Sequence, residues 1–389
     1  MAVGILFDAD IENGGSYQMS INNLLEFKKN FEKDNINFVI LTHKKYKILE
    51  EFNIKYQIIK ITIFDYIFIL LRNIFFINWF LDKFLFISLF ERKLLNRNIS
   101  IIIFLFTSYK AFLLKKIKFI STVIDVCHRE FPNFKEVSGK VFFVREYLNK
   151  NILPLSDLII TESALLKSKI FKFYKINQNR IISIPNTPSN LISLNKDVSL
   201  DKIRSKYNIY SKFYFYPAQF WSHKNHIIIL EAIKKLKDKK VNINFIFCGR
   251  DKGNLSLIEK KILDLKIKDN IKILNYVGND DVFGLYKLCE ALVMPTYFGP
   301  TNIPPVEAWS LEKPVIYSSY LSNHGQDAAL YFNPNSHDEL IEAITKLEVL
   351  SVKQNLISKG KIRLKNIIKE NADGHLLFIK KIKQLYNNI

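Results

Sequence analysis

The sequence predicts an α/β protein made of two doubly wound parallel sheets, and three observations carry that prediction. Its 389 residues exceed one ordinary domain and suit two of roughly 150 to 200 residues each. From Phe213 onward, short apolar runs alternate with stretches of helical length, the pattern of strand–helix–strand units that close into a parallel sheet. Apolar residues make up 48% of the chain, ample for two cores, and no long Ser-, Pro- or Gly-rich segment marks disorder.

Taken in order, the first half supplies strands at residues 4–7, 38–42, 101–104, 120–124, 158–161 and 181–184, with helices between them. These predict a Rossmann-like domain over residues 1–190. The polar stretch 186–198, opening Asn186-Thr187-Pro188, is the interdomain boundary. A second domain over 191–370 has strands at 213–216, 243–248, 271–277, 291–294 and 314–317, with helices near 225–236, 255–265 and 281–289. Parallel sheets of this kind bind ligands beyond the carboxyl ends of their strands. That directs attention to the loops at 217–224, 249–253, 277–278 and 296–303.

The N-terminus enters an apolar run with no basic segment or small-residue cleavage site before it, so it reads as a first strand rather than a signal peptide. Cys127, Cys248 and Cys289 are far apart and sit in or beside apolar runs. They fit reduced structural thiols and a cytosolic setting better than a disulfide or metal set. The formal net charge is +20, but residues 1–190 hold 27 basic and 17 acidic side chains, so half of the excess lies in each part. No basic domain or tail stands out, and nucleic acid is not an expected partner.

Between residues 61 and 120, aromatic and aliphatic side chains crowd around scattered cations. Arg72, Asp82 and Lys83 interrupt the run, so it lacks the 18 or so apolar residues of a spanning helix. Two readings stay open: a core facing the N-terminal sheet, or peripheral contact with the inner face of an anionic membrane.

The segment from Pro295 to Ala308 joins a short apolar strand to a helix. Pro304 and Pro305 fit a helix's first turn, where no amide bond is lost, and Glu307 then lies beside the helix N-terminus. Free amides and the positive end of the dipole there suit a diphosphate, while Glu307 accepts hydrogen bonds from sugar or ribose hydroxyls. By residue type alone, Glu307 also fits a helix-capping glutamate.

This segment, with the strand 314–317 behind it, resembles the donor-site signature of retaining GT-B glycosyltransferases of group 1 (family 4-like). The resemblance implies two Rossmann-like domains facing each other across a cleft, with the helix 371–389 packed back onto the first. It implies transfer of a sugar from a nucleotide-diphosphate sugar, with retention, to a hydroxyl of a glycan or lipid-linked glycan acceptor. The setting it implies is lipopolysaccharide, capsule or other cell-surface polysaccharide assembly. No cofactor or protein-bound metal is expected, the nucleotide sugar being a substrate.

The family has two glutamates eight positions apart; Glu307 matches the second, the ribose ligand, whereas Gly299 stands at the first, which holds the transferred sugar. An arginine and a lysine five apart hold its diphosphate, and here those positions are Gln219 and Lys224. Only Lys224 offers a point charge; Gln219 cannot replace a guanidinium fork. The donor-binding set implied is Gln219, Lys224, Gly249, Arg250, Val277, Thr301, Asn302, Ile303 and Glu307, with Gly15 of the glycine pair Gly14-Gly15 opening the first helix. The run 124–132 resembles the family segment bearing a cleft histidine, so His128 is the candidate catalytic residue, with Asp125 orienting it. On residue type alone, Lys224 also fits a surface lysine and His128 a structural histidine. Asp8-Ala9-Asp10 looks like a metal-binding Asp-x-Asp, but ending a first strand it reads as structural or acceptor-side.

Two rival readings share these features: a nucleotide-sugar epimerase of the same fold, and a catalytically degenerate membrane- or nucleic-acid-binding module. The first calls for an acid–base pair in the cleft, and the second is motivated by Gly299, Gln219 and the charge.

Overall fold

The computed structural model describes residues 2–9, 15–72, 74, 76, 81, 83–84, 86–189, 198–275, 277–299 and 302–387. Two compact units divide the chain: Met1–Val126 with Phe142–Pro185 and Glu370–Ile389, and Cys127–Val141 with Asn186–Lys369.

In chain order the first half runs β1 (Ala2–Phe7), α1 (Gly15–Lys33), β2 (Phe38–Thr42), α2 (Lys47–Glu51), β3 (Gln57–Ile58), α3 (Ile63–Arg72) and α4 (Leu89–Leu95). It continues with β4 (Ile99–Phe104), β5 (Lys118–Val123), α5 (Cys127–Glu130), α6 (Gly139–Ile152), β6 (Leu158–Thr161), α7 (Ala164–Tyr174) and β7 (Ile181–Ser183). The strands form a seven-stranded sheet of order β3-β2-β1-β4-β5-β6-β7, parallel throughout. Every residue of β1 is buried, because both faces of a parallel sheet are covered. Phe27 and Phe31 of α1 pack on one face, and Phe90 and Leu94 of α4 belong to the cluster on the other.

The second half runs α8 (Leu200–Tyr207), β8 (Tyr214–Pro217), α9 (His226–Asp238), β9 (Phe245–Cys248), α10 (Leu255–Asp264), β10 (Ile271–Leu274), α11 (Asn279–Leu288) and β11 (Leu292–Met294). Then come α12 (Ile303–Ser310), β12 (Val315–Ser318), α13 (Ser322–Gly325), β13 (Leu330–Phe332), α14 (His337–Leu347) and α15 (Leu350–Asn387). Its six-stranded sheet has the order β10-β9-β8-β11-β12-β13, again parallel. Trp309 of α12 is the largest side chain in this core, its indole N–H bonded to the Ala328 carbonyl at 3.1 Å.

The α15 helix starts at Leu350, well before the expected 371. Its inward positions between 351 and 370 are Leu356, Gly360, Arg363 and Ile367, and glycine and arginine at two of the four erase the apolar period that marks a helix. Past residue 370 the helix packs in the first unit. Glu26 Oε2 accepts from Asn371 Nδ2 at 2.9 Å and His375 Nε2 at 2.8 Å, Asn371 also donates to the Pro185 carbonyl at 2.8 Å, and Phe378 meets Phe27 at 5.2 Å. The short edge strands β3 and β13 are not among the predicted strands. The strand expected over 271–277 stops at Leu274. Among the described residues, no helix is long and apolar enough to cross a membrane. All three thiols are free and buried.

Candidate functional site

In the second sheet the strand order reverses between β8 and β11, and such a switch point opens a crevice at the carboxyl ends of the two strands. The loops that leave those ends carry Lys224 and Asn302. After β8 the chain makes a 3-10 turn at Ser222–Lys224, and Asn225, at φ 56°, redirects it into α9. Asparagine tolerates that left-handed conformation. Tyr216 donates to the Lys224 carbonyl at 2.8 Å, and Asn225 Nδ2 donates to the Pro334 carbonyl at 2.7 Å, which pins the backbone on both sides of the lysine. The loop after β11 is stitched to this turn: the Tyr297 amide donates to the His223 carbonyl at 3.0 Å.

Lys224 Nζ lies 3.5 Å from Asn302 Oδ1, a long contact, and burial pushes its ammonium down to about 8, against the pull of Glu136. Asn302 Nδ2 donates to the Gly299 carbonyl and to the Tyr317 hydroxyl, each at 2.9 Å, and the Tyr317 hydroxyl pairs with His324 Nδ1 at 3.3 Å. The amide thus presents Oδ1 toward the lysine while its nitrogen is tied down. Gly299 has φ 119°, and a Cβ there would stand 2.7 Å from Asn302 Oδ1. Glycine is required on both counts. At the position where the resemblance implies a glutamate, the Asn302 side chain folds back onto Gly299.

Glu307, on α12, is 7% exposed, and its Oε2 accepts from the Tyr286 hydroxyl at 3.0 Å. Burial raises the carboxyl to about 7, although the Tyr286 bond works the other way. Near neutral pH it therefore accepts hydrogen bonds in one form and donates in the other. Pro304 and Pro305 remove two of the four amides a helix start normally leaves free, so the donors remaining there are those of Asn302 and Ile303.

The raised value makes a stability prediction. A carboxyl that holds its proton more tightly when folded destabilises the fold as pH climbs from its unfolded value toward its folded one. Between 4.5 and about 7 that amounts to roughly 3 kcal/mol. Glu307→Gln is expected to match or fall slightly below the parent at pH below 4.5 and to exceed it above pH 7, which melting curves across that range will show.

Of the other predicted residues, Gln219 accepts from Trp221 Nε1 at 3.1 Å, and the Arg250 carbonyl accepts from the Phe220 amide at 3.0 Å. Gly249 packs against the preceding loop, where a Cβ would lie 2.3 Å from the Ala218 carbonyl oxygen. Val277 packs on the core, and Ile303 begins α12. In the first unit, Gly15 begins α1 and is exposed, with open space where a Cβ would go. Asp125 pairs with Arg145. His128, fully buried on α5, falls in the second unit. Asp8 bonds Lys110 Nζ at 2.5 Å, on the loops after β1 and β4. Asp10, Asn13, Gly14, Asp82 and Thr301 lie outside the described residues, as do 190–197 of the boundary stretch.

Sequence reasoning missed Glu136. Its Oε1 accepts from the His223 backbone amide at 2.8 Å and pairs with His223 Nδ1 at 2.5 Å, and the His223 ring stacks on Phe298 at 4.0 Å. One carboxylate therefore holds the residue before Lys224, which in turn braces the residue before Gly299. Burial alone would raise this carboxyl, but the hydrogen bonds from His223 hold it below the usual range. Nothing local in the sequence signals a partner 87 positions away. Glu136→Ala is expected to weaken nucleotide-sugar binding roughly tenfold, whereas Glu136→Gln, which keeps an acceptor for the amide, retains most of it; calorimetric titration distinguishes the two.

Residues 200–363 match the family described as "Glycosyl transferases group 1". That segment is similar to a group 1 glycosyl transferase domain. It contains β8 through β13 and the described residues Gln219, Lys224, Asn302 and Glu307, while Glu136 is outside it. The chain is 31% identical over 214 residues to the O-antigen chain mannosyltransferase RfbU of Salmonella typhimurium, across 54% of this chain and 56% of that protein. It therefore spans only about half the length of that relative. A glycosyltransferase from Rickettsia africae superposes with a TM-score of 0.71 at 15% identity, over 100% of this chain and 98% of that one. Anabaena Alr3699/HepE, solved with UDP-glucose, gives 0.73 at 13% identity, over 98% and 100%. With the two parallel sheets, these likenesses establish the GT-B fold of two Rossmann-like domains. Among the described residues, no group of three or more His, Cys, Asp or Glu side chains is placed to hold a metal ion.

Proposed function

We propose that this protein transfers a hexose from a nucleoside-diphosphate sugar to a hydroxyl of a glycan acceptor, free or lipid-linked, during assembly of a cell-surface polysaccharide such as lipopolysaccharide. The observation that carries the reading is the meeting of Lys224 and Asn302 at the switch point of the glycosyl transferase domain, with a buried Glu307 on the helix that Asn302 caps. The name of the Salmonella relative supports the polysaccharide setting.

As the sugar–phosphate bond breaks, negative charge grows on the departing diphosphate. Lys224 and the amides of Asn302 and Ile303 meet that charge from fixed positions, so they stabilise the transition state more than the bound donor. Glu307 accepts from the ribose hydroxyls. The acceptor hydroxyl bonds to the anomeric carbon as the bond to the diphosphate oxygen breaks, and its proton passes to the departing diphosphate, with retention of configuration as the family resemblance implies. Residues 191–370 hold the donor in this account, and residues 1–190, with 371–389 packed on them, hold the acceptor. Gln219, Gly249, Arg250 and Val277 belong to the donor-binding set that the resemblance implies, as do Gly15 and Thr301, and His128 with Asp125 is the catalytic pair it implies. The test is incubation with labelled nucleotide sugars and lipid-linked glycan acceptors, with the anomeric configuration of the product read by NMR. Transfer to an acceptor supports the reading, and epimerisation of the donor without transfer contradicts it.

A further inference from the structure

Helices that cover a sheet turn apolar side chains inward and polar ones outward. Helix α3 turns Phe68 and Ile69 onto the core but also buries a carboxylate and leaves five apolar side chains outside. Asp65, its one acidic residue, is fully buried: Oδ2 accepts from the Thr62 amide at 2.9 Å and the Thr62 hydroxyl at 2.7 Å, and Oδ1 from the Phe90 amide at 2.8 Å. Outward point Ile63, Phe64, Tyr66, Ile67 and Leu70, each 45 to 68% exposed. The stripe continues onto neighbouring elements. Tyr66 stacks on Tyr109 at 6.3 Å, and Phe112 of the same 3-10 turn meets Tyr147 of α6 at 6.0 Å. Helix α6 then adds Phe143, 71% exposed, and Val144, 48% exposed.

Among the described residues of these elements, the exposed charge has one sign. Glu91 is buried, with Oε1 accepting the backbone amides of Lys115, Lys116 and Ile117 at 2.6 to 2.9 Å. Glu146 of α6 is buried against the Tyr174 hydroxyl. The described carboxylates of α3, α4, the turn and α6 are therefore all spent inside the fold. Lys115 and Lys116 are exposed, next to Leu114, whose carbonyl contacts Arg72 Nη1 at the end of α3 at 3.5 Å.

We propose that this face of the first unit seats on an anionic bilayer, with the apolar stripe entering the headgroup–acyl boundary and Lys115 and Lys116 meeting lipid phosphates. A contiguous apolar patch in soluble proteins marks an interaction site, and the charge selects the occupant. Among the described residues of these elements, two copies set face to face would bring lysine against lysine with no exposed carboxylate to answer, whereas an anionic surface supplies the complement. The inference does not depend on the proposed reaction.

The test is co-sedimentation of the full chain with phosphatidylcholine vesicles, with and without a quarter of phosphatidylglycerol. Binding is expected to the anionic vesicles and to weaken with salt. It should weaken roughly fivefold for each lysine removed in Lys115→Gln with Lys116→Gln, and be lost in Ile67→Glu with Leu70→Glu. Both last positions are exposed, so the double variant is expected to keep the parent's circular dichroism and melting temperature. Absence of binding by the parent, equal binding to neutral vesicles, or undiminished binding by Ile67→Glu with Leu70→Glu would each overturn the proposal. A parent dimer that this variant dissolves, with no vesicle binding, would assign the face to a second copy instead.

Discussion

Lys224→Ala is expected to lower kcat/KM for sugar transfer by roughly two to three orders of magnitude, the size of effect seen when one fixed donor to a developing charge is removed. No arginine stands at 219 to share the task, and Gln219 is occupied by Trp221. The loss therefore falls on kcat as well as on donor affinity. The pH dependence follows from the same residue. Burial sets the Lys224 ammonium at about 8 in the free protein, and a bound diphosphate favours the charged form, so its value rises on binding. The Lys224 contribution to donor affinity is accordingly full below about pH 8 and falls above it, by up to roughly tenfold for each pH unit until the value in the complex is reached. Steady-state kinetics of parent and variant across that range check both statements. In Lys224→Ala the alkaline fall should vanish with the affinity.

The second large effect concerns the frame beneath the lysine. Gly249→Ala is expected to cost roughly 3 kcal/mol or more, a fall of about 6–12 °C in melting temperature for a domain of this size. The new Cβ would lie 2.3 Å from the Ala218 oxygen, 2.6 Å from its carbonyl carbon and 2.8 Å from the Gln219 Cα. All three are backbone atoms, so no rotamer relieves the clash and the loops after β8 and β9 must part. Those loops are joined by the Phe220 amide to the Arg250 carbonyl, and the first leads to Lys224. Donor binding should weaken along with stability. Gly15→Ala is the control: it has open space around it, and the variant should melt no lower than the parent. Calorimetric melts of the three proteins decide.

Much of this architecture was legible because buried parallel strands are continuous apolar runs; the central strands of both sheets fall where Ile, Val, Phe and Leu cluster. The pocket was legible in part for a similar reason. Lys224 and Asn302 sit on two loops whose positions after a strand are set by chain order, and Glu307 on the helix that the second loop enters, so local sequence points to them. The Glu136 contact with His223 links distant parts of the chain, and pairings of that kind leave no local pattern. The same holds for Tyr286 beneath Glu307 and Tyr317 behind Asn302, which read in sequence as ordinary core aromatics. Gly299 was legible as a departure from the family pattern but not as a fit, because its reason is the side chain of Asn302 folded back onto it. In α3 the sequence shows a nearly all-apolar helix, and only the structure shows which side faces outward.

The measurement that bears most directly on the central claim is a thermal-shift titration of the purified protein with UDP-, GDP-, dTDP- and ADP-sugars, repeated with Lys224→Ala. The account predicts that one nucleotide class raises the melting temperature in proportion to the logarithm of its concentration, and that the shift disappears in the variant. No stabilisation by any of them, or an equal shift in Lys224→Ala, would contradict a donor site built on Lys224, Asn302 and Glu307.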